Sequence, residues 1–139
     1  MAEPTAPQNQ EELGEWVREQ FQKANKHLAE NGVLFASVVV EESRYMAPYV
    51  AVWKIKSQQG KLFWVMSGDL PCDYIPADVA PNVQAVLKHF ALAWQLKAEN
   101  LAAASPTNPT DIEYINLLSH RAEGLYNMSE DTNLWQENS

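Results

Sequence analysis

Apolar side chains at Leu13, Trp16, Val17, Phe21, Ala24 and Leu28 recur at spacings of three and four, the period of one face of an α-helix. The spacing predicts an amphipathic helix from about residue 9 to Asn31. Asn31-Gly32 supplies its stop, because glycine enters the left-handed conformation without a steric cost. Residues 1–8, polar with interspersed prolines, read as a flexible tail.

The pattern then changes. VLFASVVVEE is rich in β-branched residues and lacks polar alternation, which predicts a strand inside a sheet covered on both faces. YVAVWKIKS alternates from Val52 to Lys56, with Trp53 and Ile55 on one side and Lys54 and Lys56 on the other. KLFWVMS follows after Gln58-Gln59-Gly60, the mark of a hairpin in which Gly60 takes positive φ. Three strands in a meander result. The connection ESRYMAP is longer than a tight turn requires.

A second helix is predicted over about residues 80–103, with Val83, Val86, Leu87, Phe90, Trp94, Ala98 and Leu101 on one stripe and Pro81 in the first turn. SPTNPTDIE opens a third helix: Thr107 or Asn108 caps it, Pro109 begins it, and Asp111 and Glu113 suit its positive end. Ile112, Ile115, Leu118, Ala122 and Leu125 form its stripe. Residues 129–139 read as a polar tail in which Trp135 is either a packing latch or an exposed contact. The fold class is therefore α+β: an N-terminal helix, a three-stranded antiparallel meander, then two C-terminal helices packed on the sheet, in a single domain over residues 9–128.

Composition supports a folded domain. In 139 residues, 46% are hydrophobic and five are tryptophan, enough for a core without covalent staples. The net charge of −8 argues against nucleic acid or an anionic membrane as partner. A single cysteine cannot form an internal disulfide, and the N-terminus lacks a basic start and apolar stretch, so the expected location is the cytoplasm.

The segment SGDLPCDYIPAD, residues 67–78, concentrates the functional question: three aspartates, two prolines and the cysteine in one short loop. Asp69, Asp73 and Asp78 lack the alternate-residue spacing and closing glutamate of a calcium loop. His27, His89 and His120 fall on three different helices with no i, i+4 pair, so no metal site and no cofactor is expected. Cys72 lies between a proline and an aspartate, a setting that disfavours a reactive thiolate. Ser67-Gly68 is a dipeptide, not a nucleophile motif. A paired-carboxylate site from Asp69, Asp73, Glu41 and Glu42 stays open, since sequence does not measure their separation. In the recognition reading, Pro71 and Pro76 stiffen the loop and Tyr74 and Ile75 are held between them for a partner. In the structural reading, the aspartates cap backbone amides and both side chains point inward.

FWVMSGDLPCDYI followed by LKHFALAWQLKAENL resembles a family of small bacterial proteins known as domain of unknown function 4826. The resemblance runs from Lys61 to Leu101, on Trp64, Ser67, Gly68, Asp69, Pro71, Asp73, Tyr74, His89, Phe90, Trp94 and Gln95. It implies a bacterial cytoplasmic protein and no catalytic residue.

The leading expectation is a non-enzymatic protein-binding module, using Asp69, Asp73, Tyr74 and Trp64 on a basic protein partner, as monomer or homodimer. The alternative is a small-molecule binder or hydrolase whose pocket lies between the sheet and the second helix, with Asp69, Asp73 and His89 at its mouth and Trp94 a further pocket residue.

Overall fold

The computed structural model describes residues 4–136. The outer ends of both expected tails, 1–3 and 137–139, lie outside the described residues. The chain forms two compact units, Met1–Val83 and Gln84–Ser139.

The first unit is a helix laid on a five-stranded antiparallel sheet. Helix α1 spans Gln10–Glu30. Its first turn is closed reciprocally: Glu12 N–H donates to Asn9 Oδ1 at 2.8 Å, and Gln8 N–H donates to Glu12 Oε2 at 2.7 Å. The predicted stop holds, with Asn31 as C-cap and Gly32 at φ +81°. Strands β1 (Phe35–Val38), β2 (Arg44–Met46), β3 (Val50–Ser57), β4 (Leu62–Gly68) and β5 (Asp73–Pro76) follow. The order across the sheet is β1-β3-β4-β5, and β2 also pairs with β3.

The α+β class and the element order are as the sequence predicts, with five strands in place of three. The β3–β4 hairpin closes where expected, with Ser57 N–H on Lys61 O at 2.8 Å and Gly60 at φ +83°. The first predicted strand differs in kind. β1 is a short edge strand with exposed Ala36 and Ser37, a bulge between Phe35 and Ser37, and a 3-10 turn at Val40–Glu42 after it. The strand buried on both faces is β3. Its Ala51, Trp53 and Ile55 meet Ala24 and Leu28 of α1 and Val65 of β4 in one core, while Val50 and Val52 on the opposite face are also fully buried. The long ESRYMAP connection holds β2.

In the second unit, α2 (Val83–Ala103) and α3 (Pro109–Glu130) run antiparallel: Gln84 Nε2 donates to Ser129 O at 2.8 Å near one end, and Lys97 Nζ to Tyr114 Oη at 3.0 Å near the other. Pro81 precedes α2 instead of opening it. Asn108 is the cap of α3, accepting from Thr110 N–H at 2.8 Å. The predicted stripes hold at their centres and fail at the ends of this hairpin, where Leu101 and Ile112 are exposed. A short helix α4 (Thr132–Trp135) follows, and Trp135 Nε1 donates to Met128 O at 2.9 Å, the latch reading of that tryptophan.

Candidate functional site

The segment 67–78 is a corner and a strand instead of a loop: the end of β4, a turn over residues 69–72, the edge strand β5, and a 3-10 turn at Ala77–Val79. β5 escaped the sequence reading because Pro71 and Pro76 frame it. An edge strand accepts proline wherever the missing N–H faces away from the ladder.

Each part of the corner is fastened from within the first unit. Ser67 is fully buried; its hydroxyl donates to Gln20 O at 2.9 Å and accepts from Trp53 Nε1 at 3.3 Å, so it anchors the sheet to α1 and is not a nucleophile. Gly68 has φ +143°, and an added Cβ would stand 2.8 Å from Val50 Cα and nearer still to Tyr49 O. Only glycine permits this approach of β4 to the start of β3. Asp69 N–H then donates to Tyr49 O at 2.9 Å.

At the far end the fastening is an indole. Trp64 is 1% exposed, and its Nε1–H is shared between Ala77 O at 3.2 Å and Ala80 O at 2.9 Å. It thereby ties down the chain leaving β5. Lys54 Nζ lies 5.2 Å from the Trp64 ring centroid and pairs with Glu42 at 3.0 Å. Trp64 is thus a staple and not a surface residue, which corrects its expected place in a partner contact.

The remaining candidates divide by exposure. Asp69 and Asp78 are exposed. Asp73 is half-buried, and its Oδ1 accepts the N–H of Tyr74 at 2.9 Å. The Tyr74 ring is half-buried, edge-on to His27 of α1 and Phe63 of β4 at centroid distances of 5.7 and 5.9 Å. Both the capping aspartate and the inward tyrosine therefore do structural work. Cys72 is half-buried, and burial pushes its thiol pKa up; nearby Asp73 and Glu30 push the same way, while Lys23 opposes them. No group of three or more metal-ligating side chains occurs among the described residues.

His89 and Trp94 belong to the helical unit. His89 is half-buried against Phe90, and Trp94 is 3% exposed with its ring tilted on Phe90 at 6.1 Å. A shallow groove of about 530 Å³ lies elsewhere, lined by Ala6, Pro7, Asn9, Leu13 and Ala47 among others. Nothing in the sequence pattern pointed to it. No helix among the described residues is long and apolar enough to cross a membrane.

These features define an α+β protein with a helix-backed antiparallel sheet and a glycine-dependent, tryptophan-stapled corner. The chain belongs to the family described as domain of unknown function 4826, whose profile matches residues 9–135. No curated protein and no solved structure matches it.

Proposed function

We propose that this chain is a non-enzymatic binding module of the bacterial cytoplasm, whose β4–β5 corner offers an acidic surface to a basic protein partner. The observation that carries the reading is the fastening of the corner. Gly68, Asp69 N–H, Asp73 Oδ1 and the Trp64 indole hold the segment from both ends, while Asp69 and Asp78 are exposed upon it. A segment already held in one shape loses little conformational freedom when a partner grips it. The net charge of −8 adds long-range attraction for a basic surface.

The test uses the wild-type chain and an Asp69→Asn, Asp78→Asn variant as immobilised baits in a bacterial lysate. Retained proteins are identified by mass spectrometry, and each is then titrated at two salt concentrations. The reading expects a basic protein held by the wild type, released by salt, and bound several-fold more slowly by the variant. A partner bound equally by both baits at both salt concentrations contradicts it.

A further inference from the structure

The register of the sheet fixes which backbone groups of β5 face outward. Ser57 N–H donates to Lys61 O in the hairpin, so by antiparallel alternation the pairs Ile55–Phe63, Trp53–Val65 and Ala51–Ser67 exchange ladder hydrogen bonds. The bond from Asp69 N–H to Tyr49 O keeps the same phase at the other end. Trp64 and Met66 therefore turn their backbone groups toward β5, where Ile75 and Asp73 are their partners. The backbone groups of Tyr74 and Pro76 point the other way, to the side on which no further strand pairs among the described residues.

Both outward donor positions are closed. Pro76 has no N–H, and the N–H of Tyr74 is taken by Asp73 Oδ1 at 2.9 Å. We infer that Asp73 and Pro76 seal the outer edge of β5 against strand addition, above all by the same edge of a second copy of this chain. An unprotected edge of Tyr-Ile character is a ready template for such pairing. Here an incoming strand finds no donor for its carbonyls at either position. The inference does not depend on the proposed partner, since a sealed edge leaves side-chain recognition at the corner untouched.

Sedimentation velocity over a hundred-fold concentration range tests it with three chains: wild type, Asp73→Asn, and Asp73→Ala with Pro76→Thr. Asparagine keeps an oxygen acceptor at the same place, so the Asp73→Asn chain is expected to match the wild type. In the double variant the weight-average mass is expected to rise at least 1.5-fold above that of the wild type at the highest concentration. A folded double variant with wild-type mass throughout overturns the inference. A rise of equal size in Asp73→Asn also overturns it, because charge and not the hydrogen bond would then be the barrier. Should the double variant not fold, amide exchange in Asp73→Ala decides: the Tyr74 amide is expected to exchange about five-fold faster or more, the equivalent of one lost hydrogen bond, and an unchanged rate overturns the assignment.

Discussion

Replacing Gly68 by alanine puts the corner under the sharpest test. At φ +143° an alanine sits in a backbone region that costs about 1–3 kcal/mol for a residue with a Cβ. The added methyl would also meet Val50 Cα at 2.8 Å and the Tyr49 carbonyl. Val50 is fully buried, so β3 cannot withdraw without opening the core. β4 must shift instead, and that shift breaks the bond from Asp69 N–H to Tyr49 O, worth about 1 kcal/mol. Together these give about 2–4 kcal/mol, a large share of the roughly 5–15 kcal/mol that holds a typical domain folded. Urea unfolding followed by tryptophan fluorescence measures it from the midpoint and slope. Two glycines serve as references. Gly60, at φ +83° with no atom within 4 Å of an added Cβ, should lose only about 1–2 kcal/mol as alanine. Gly124, within α3 and equally unobstructed, should gain about 0.5–1 kcal/mol. A Gly68→Ala chain no less stable than Gly60→Ala would refute the reasoning.

Two further outcomes follow from the same geometry. Trp64→Phe removes the donor shared by Ala77 O and Ala80 O together with part of a fully buried ring, and should cost about 2–4 kcal/mol; a loss under about 1 kcal/mol in urea unfolding would show that the staple is idle. Cys72 should react with iodoacetamide near neutral pH at least about three-fold more slowly than an unstructured cysteine peptide, since burial raises its pKa and thins the thiolate. Lys23→Ala, which removes the one opposing charge, should slow it further. Because the folded state keeps this proton to higher pH than the unfolded state, the stability it contributes is complete below the unfolded thiol pKa and is lost as pH rises through the folded one.

The helices and the hairpin were legible because their signals are local. The three-and-four spacing of α1, the Asn108-Pro109 start of α3 and Gly60 between two apolar runs each report a preference satisfied within a few residues. The sheet's edges were not legible, because being an edge is a property of neighbours. The β-branched run around Val38 reads as a buried strand, yet the strand itself is only Phe35–Val38, and Val40 is 68% exposed in the turn that follows. β5 reads as a loop because Pro71 stands just before it and Pro76 within it, and a strand accepts proline mainly at an edge. The candidate site was half visible. Asp69, Asp73 and Tyr74, grouped by their nearness in sequence, lie along the β4–β5 corner. The division of labour among them depends on register, which sets Asp73 against the Tyr74 amide and turns the Tyr74 ring onto His27. Trp64 offered no sequence signal of its indole bonds, since both carbonyls lie more than ten residues ahead of it.

Recognition by a preformed corner requires that it be rigid before any partner arrives, and amide hydrogen exchange of the free protein measures that directly. The amides of Asp69, Tyr74 and Ile75 are expected to be protected by at least about a hundred-fold over their unstructured rates, within reach of those in β3 and β4, because each donates into the fastened corner or its ladder. Exchange of these three amides at unstructured rates, beside a protected β3, would contradict a preformed corner and remove the basis for its use as a recognition surface.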